Sequence, residues 1–291
     1  MAKLKVSELF YSIQGEGRYA GVPSLFLRTF GCSLRCPGFS RDHSVAHTDN
    51  PEVAQLIADI PKFKEQGLTF SQLPLAKTGC DTYAAVYPEF KDFSPMMTTE
   101  EIAAKIKATM PGPFSQNRHL VITGGEPLLP GWQKAYPSLI EELYNADLTV
   151  KDPIYVTFET NGTQQLDGEL FSSMYWDAFF HFSVSPKLAA SGEKFEDAIK
   201  PDLIKEYLEF GEVDFKFVVE TPEHVEEVAR LFDENGAFYE HRDAAIYLMP
   251  VGGTNEVYSG NRRAVAEQCM KYGFRYSPRL QNDLFENEWG T

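Results

Sequence analysis

The chain is short of cysteine, of basic residues and of long apolar runs, and each shortage argues against a class of function. Only four cysteines occur in 291 residues. The start Met1-Ala2-Lys3-Leu4-Lys5 lacks the apolar stretch of a signal peptide. A disulfide framework is therefore disfavoured, and metal or redox use is the better reading of the thiols. No apolar run approaches the ~20 residues needed to span a bilayer, so no membrane partner is expected and the protein is assigned to the cytoplasm. Lys and Arg number 27 against 42 Asp and Glu, a net charge of −15, and no basic run is longer than Asn261-Arg262-Arg263. Affinity for nucleic-acid backbones rests on clustered Lys and Arg, so direct nucleic-acid binding is not expected. An anionic small molecule would need local cations.

What is present begins with three cysteines. Cys32 and Cys36 lie in Gly31-Cys32-Ser33-Leu34-Arg35-Cys36, directly after the apolar run Leu25 to Phe30, while Cys80 stands far along the chain in Thr78-Gly79-Cys80-Asp81-Thr82. Three thiolates can hold three irons of a [4Fe-4S] cubane and leave the fourth iron open to a small ligand, whereas an electron-transfer ferredoxin site closes all four. An open coordination position is the mark of a catalytic metal site. Such a cluster would make the protein an enzyme.

A hydrophobic content of 43% suffices for a packed core, and this length suits an α/β barrel formed as one domain over 1–291. From about residue 98 short apolar strands alternate with amphipathic helices. Thr98-Thr99-Glu100-Glu101 reads as a capping box, with Ile102, Ile106 and Met110 repeating behind it. Strands are expected at Leu25 to Phe30, His119 to Thr123, Ile154 to Phe158, Phe180 to Ser185, Asp214 to Val219 and Ala245 to Met249. Helices are expected to open at Ser138, to run from Thr221 and Pro222 to a stop at Gly236, and to run from about Asn261 to Tyr272 before Gly273. This βα rhythm predicts a parallel sheet. Gly31-Cys32, Gly124-Gly125-Glu126-Pro127, Glu159-Thr160-Asn161-Gly162-Thr163 and Ser185-Pro186-Lys187 all fall at strand ends. Ligands of parallel α/β proteins sit at the carboxyl ends of strands, so these turns should face one cavity. Residues 37–79 break the rhythm. They are read as an insertion in the cluster-binding loop, with a helix from about Pro51 to Phe63, since a structureless loop of that length is unusual in a compact domain.

Taken in order, Ser12-Ile13-Gln14-Gly15-Glu16-Gly17, Phe26-Leu27-Arg28, Cys32, Cys36, Cys80-Asp81-Thr82, Gly124-Gly125-Glu126-Pro127, Glu159-Thr160-Asn161-Gly162-Thr163, Ser185-Pro186-Lys187 and Ser277-Pro278-Arg279-Leu280-Gln281 resemble the 7-carboxy-7-deazaguanine synthase family of radical S-adenosylmethionine enzymes. The family usually reads Cys-x3-Cys-x2-Cys-Asp-Thr, and here the third place holds Phe39. Asp81-Thr82 follow Cys80 as the pattern requires, so Cys80 is taken as the third ligand. Its rival Cys269 lies on an apolar helical face with Val265 and reads as a small core hydrophobe. His43 and His47 are read as parts of a solvated loop.

The resemblance implies an incomplete, open parallel βα barrel of the radical S-adenosylmethionine type. It implies a [4Fe-4S] cluster on Cys32, Cys36 and Cys80, and S-adenosylmethionine bound by Gly124, Gly125, Glu126, Glu159, Asn161, Ser185 and Lys187. Glu126 would meet the methionine ammonium, and Phe39 would pack on adenine. It implies Mg2+ at Thr82, where a hydroxyl suits a hard cation. Gln14, Glu16 and Arg28 would bind 6-carboxy-5,6,7,8-tetrahydropterin, with the planar fork of Arg28 on its carboxylate. No side chain is assigned a catalytic role of its own. The implied chemistry is cleavage of S-adenosylmethionine to a 5′-deoxyadenosyl radical, hydrogen abstraction beside the substrate carboxylate, and ring contraction with loss of ammonia, as in queuosine biosynthesis. An electron-donor protein such as flavodoxin and a homodimer are the expected partners. Two rival readings are an enzyme that activates a glycyl radical on a partner protein and a regulatory protein that keeps the fold without turnover.

Overall fold

The computed structural model describes residues 2–149, 153–252, 254–286 and 288–291. Among the described residues nine strands form one sheet in the order β3-β1-β2-β4-β5-β6-β7-β8-β9. They are β1 (Lys3–Ile13), β2 (Pro23–Thr29), β3 (Met96–Thr98), β4 (His119–Gly124), β5 (Ile154–Thr160), β6 (Ala178–Val184), β7 (Gly211–Val219), β8 (Ala245–Pro250) and β9 (Arg275–Tyr276). From β2 through β9 every neighbouring pair is parallel, and the ends of the sheet, β3 and β9, do not pair with each other. The result is an unclosed βα barrel, as expected.

The sheet alternates with period two, and the apolar set faces outward. Val156 and Phe158 of β5, Phe180, Phe182 and Val184 of β6, and Phe215 and Phe217 of β7 join the main core. Ile102 and Ile106 of the helix Thr99–Thr109 and Leu139, Ile140 and Leu143 of the helix Tyr136–Asn145 belong to the same core. The intervening positions are polar: Thr123, Glu159, Ser183 and Lys216 all line the central cavity. Helices cover the outer face, so the inner face is free to carry charge. Among the described residues no helix is long and apolar enough to cross a membrane.

Several boundaries differ from expectation, each for a physical reason. β1 went unread because a bulge between Val6 and Glu8 breaks its alternation, and it adds an antiparallel edge together with β3. The helix expected from Ser138 starts at Tyr136, with Pro137 in its first turn. Ser138 spends its hydroxyl on Thr99, with the two oxygens 2.9 Å apart. The helix from Pro222 ends at Phe232, before Gly236, and the last long helix begins at Asn255 instead of Asn261. The helix expected over Pro51 to Phe63 is two helices, Pro51–Ala58 and Ile60–Glu65, since Pro61 has no N–H to continue the first.

Residues 37–79 do not sit on the main core. Val53, Leu56, Ile60, Phe63, Phe70, Leu73 and Ala76 form a second buried cluster with Phe30, Tyr83, Ala84, Ala85 and Phe90, and Trp289 packs against it. Asn50 caps the first helix by accepting from Val53 N at 3.1 Å. Glu52 ties down the far end, accepting from the backbone N–H groups of Lys77 and Thr78 at 2.9 Å each.

Candidate active site

The carboxyl ends of the parallel strands open into one cavity. Its walls include Gln14, Glu16, Arg28, Cys32, Cys36, Phe39, Cys80, Thr82, Gly124, Gly125, Glu159, Asn161, Ser185 and Lys187. Of the residues that the resemblance assigns to cluster, cofactor, metal or substrate, Glu126 is the one not on this wall.

The segment 37–79 returns Cys80 to its partners. Cys36 and Leu34 form a small buried cluster with Ala198, and Cys32, Phe39 and Cys80 pack against it. The closure is also seen in the backbone, where Gly79 N donates to Phe39 O at 2.8 Å. Cys269 instead belongs to the main core. His43 is exposed and bonds Glu220 at 2.8 Å, and His47 lies 2.7 Å from the Asp42 carbonyl.

Burial pushes the Cys32 thiol up to about 12 and raises Cys36 and Cys80, while the Lys187 ammonium opposes the rise at all three. Neutral buried thiols of this kind are deprotonated by the metal that binds them. Leu34 N donates to Cys32 Sγ at 3.4 Å, and Asn161 Nδ2 donates to the same sulfur at 3.7 Å. Among the described residues no three His, Cys, Asp or Glu side chains converge on a position for one metal ion. A cubane makes no such demand, because each cysteine binds a different iron. Three clustered thiols, one nearby cation and N–H donors on sulfur fit a cluster with an open corner.

Gly125 brings β4 against the cysteine loop: a Cβ there would lie 2.4 Å from Gly31 O and 2.7 Å from Cys32 Cβ. Glu126 sits behind the wall that Gly124 and Gly125 of its turn line. It is fully buried, its Oε1 accepts from Leu128 N at 2.9 Å and Thr160 Oγ1 at 2.8 Å, and its Oε2 accepts from Asn161 N at 2.8 Å. Burial pushes its carboxyl up to about 7 against these bonds. The carboxylate stands behind the wall and joins the β4 turn to the β5 turn. It has no exposed surface and is not part of the cavity wall.

Along the same cavity a charged network gathers residues far apart in sequence. Lys216 Nζ lies 2.5 Å from Glu16 Oε2 and 3.5 Å from Glu159 Oε1. Gln281 Nε2 donates to Glu16 Oε1 at 2.7 Å, and Gln14 Nε2 donates to Glu159 at 3.2 Å. Burial alone would raise the Glu16 carboxyl, but Lys216 and Arg279 hold it down to about 2. Arg279 Nη2 donates to Asp81 at 2.7 Å, which links the C-terminal segment to the residue between Cys80 and Thr82. Thr82 Oγ1 lies 3.4 Å from Cys80 Sγ.

Arg28 is held by Glu8, Nε to Oε2 at 2.8 Å, and among the described residues neither Nη group meets a hydrogen-bond acceptor. Its fork is thus oriented but free. Sequence reading assigned no role to Lys216, Glu8 or Asp81. The register of Lys216, in one alternating polar set with Glu212 and Asp214 on β7, was the available signal for the first.

The unclosed, largely parallel barrel has a counterpart among solved structures. The crystal structure of QueE from Escherichia coli matches it with a TM-score of 0.51 at 22% identity, covering 94% of this chain and 93% of that one. In sequence the chain is 28% identical to 7-carboxy-7-deazaguanine synthase of Halobacterium salinarum, over 98% of this chain and 91% of the relative. The corresponding protein of Rhodopirellula baltica is also 28% identical, over 100% and 90%. No protein-family model matches the chain. Over nearly its whole length the chain is thus similar to 7-carboxy-7-deazaguanine synthases.

Proposed function

We propose that this protein is a radical S-adenosylmethionine lyase that converts 6-carboxy-5,6,7,8-tetrahydropterin to 7-carboxy-7-deazaguanine with loss of ammonia. The observation that carries the proposal is the return of Cys80 to Cys32 and Cys36 on the wall of a cavity that Arg28, Glu16 and Gln14 also line. Cys32, Cys36 and Cys80 would hold a [4Fe-4S] cluster. When bound, that cluster and S-adenosylmethionine supply the radical that starts the reaction.

The chain's own part is to bind, orient and exclude water. Gly124, Gly125, Glu159, Asn161, Ser185 and Lys187 form the side of the cavity assigned to S-adenosylmethionine, and Lys187 offers a donor to its carboxylate. Glu126 contributes from behind by fixing the Asn161 turn. Phe39, packed beside the cysteines, offers an aromatic face to adenine. The free Arg28 fork suits the substrate carboxylate. Glu16, kept ionised by Lys216, can accept from the N–H edge of a pterin. Thr82 offers a hydroxyl oxygen to Mg2+ beside the cluster loop. The cytoplasmic location, a donor such as flavodoxin and a homodimer stay part of this reading. So do the single domain over 1–291 and the standing of residues 37–79 as an insertion.

Anaerobic reconstitution of single-cysteine variants tests the assignment. Cys80→Ala should lose cleavage of S-adenosylmethionine as completely as Cys32→Ala and Cys36→Ala, while Cys269→Ala should keep it. Full cleavage by the Cys80 variant would remove the third ligand and with it the proposed site.

A further inference from the structure

The loop from Cys32 to Cys36 is gripped from outside by a carboxylate that no motif and no step of the proposed reaction uses. Glu193 Oε1 accepts hydrogen bonds from the backbone N–H groups of both Arg35 and Cys36, each at 2.6 Å. Cys36 itself has a φ of 49°, a left-handed conformation that a side-chain-bearing residue keeps only when its surroundings hold it there. Glu193 is held in turn: its own N–H donates to Ser191 Oγ at 3.2 Å, and that hydroxyl donates to Leu188 O at 2.7 Å.

Two further contacts join the same segments. Gly38 N donates to Ser191 O at 2.8 Å, and the chains approach so closely that a Cβ on Gly38 would lie 2.7 Å from Ala190 O and 2.9 Å from Gly192 N. Ala198 packs on Leu34 and Cys36. Residues 188–198 thus clasp the cysteine loop, and they continue directly from Ser185 and Lys187 on the cavity wall.

We propose that Glu193 is a positioning residue that sets the cysteine loop in its metal-binding conformation before the metal arrives. The proposal rests on the reading that Cys36 is a cluster ligand. A loop that must be ordered on binding loses affinity to that ordering, and a preset one does not. The carboxylate suits the task because one of its oxygens can accept two N–H groups at once, and hydrogen bonds to a charged acceptor are the stronger kind. Glutamine keeps an acceptor oxygen at the same reach, and alanine keeps none.

The test compares Glu193→Ala with Glu193→Gln, first as metal-free protein and then after reconstitution. In the metal-free Ala variant, amide exchange at Arg35 and Cys36, followed residue by residue, should be about tenfold faster or more. Exchange at Phe182 to Val184 of β6 should stay unchanged. Glu193→Gln should recover most of the protection. After reconstitution the Ala variant should give up iron to a chelator faster than wild type, with Gln again between the two. Gly38→Ala, which presses on the clasp from the other side, should reproduce the exchange pattern and serves if the Ala variant does not fold. Unchanged exchange at Arg35 and Cys36 in Glu193→Ala overturns the proposal, as does acceleration spread equally over β6. A wild-type protein that takes up no cluster contradicts the functional reading instead, and leaves the metal-free exchange result to decide the clasp.

Discussion

Lys216 Nζ is the one cation within 4 Å of both Glu16 and Glu159 among the described residues, so Lys216→Met leaves two carboxylates facing each other without it. Removing one partner of a buried ion pair costs about 3–5 kcal/mol, and urea unfolding at neutral pH should show a loss of that order. The sign of the pH effect follows from Glu16, whose carboxyl is held at about 2 in the folded protein, below its value of about 4.3 in an unfolded chain. Between those values the unfolded state binds the extra proton, so this contribution is complete above about pH 4.3 and fades as pH falls towards 2. The gap between wild type and Lys216→Met should therefore be widest above pH 4.3 and narrow below it. A gap that stays constant across that window would show that Lys216 acts through packing alone. Arg28 makes a different kind of claim. Lysine keeps its charge but loses the planar fork, so Arg28→Lys should weaken binding of the carboxypterin by about tenfold or more and leave S-adenosylmethionine binding nearly unchanged. Equal loss for both ligands, read by isothermal titration, would place Arg28 outside the substrate site.

The segment 37–79 is the element on which the cysteine assignment depends, because its fold returns Cys80 to the loop. Phe63 is buried at 6% exposure in that segment's cluster. Phe63→Ala should cost about 3–5 kcal/mol, read as earlier unfolding and as proteolysis within 40–79, and should quicken iron loss from the reconstituted protein. Iron retention equal to wild type would show that the return of Cys80 does not rely on this core. Much of the element plan was legible in the sequence. The capping box at Thr98 and Glu101, the Thr221-Pro222 start and the Gly273 stop are local signals, and each is realised. The bulge in β1 and the break at Pro61 act against periodicity and shifted the reading there. At the site, residues inside short motifs were legible because motif neighbours share one turn. Glu193 was not, since its partners Arg35 and Cys36 are far away in sequence and no local pattern announces them, and Lys216 showed only its register on β7. Glu126 was placed in the right turn, but the direction of its carboxylate depends on Thr160 and Asn161, which only folding brings near.

At the scale of the whole molecule, the barrel inverts the usual arrangement of a core. Apolar side chains of β5, β6 and β7 point outward to the helices, and the interior carries the chemistry. The open sheet lets segments from the two ends of the chain enter that interior, with Glu16 meeting Gln281 and Arg279 meeting Asp81. Ser185 and Lys187, the cysteine loop, Arg28 and Glu16 thus all line one cavity. That convergence is what the proposed reaction requires, since a radical formed beside the cysteines must reach the substrate without meeting water. The most direct measurement is the product formed by wild-type protein, reconstituted anaerobically with iron and sulfide and given reductant, S-adenosylmethionine, Mg2+ and 6-carboxy-5,6,7,8-tetrahydropterin. The account predicts 7-carboxy-7-deazaguanine and ammonia in equal amounts, without any protein partner as substrate. Cleavage of S-adenosylmethionine with the carboxypterin recovered unchanged would contradict it.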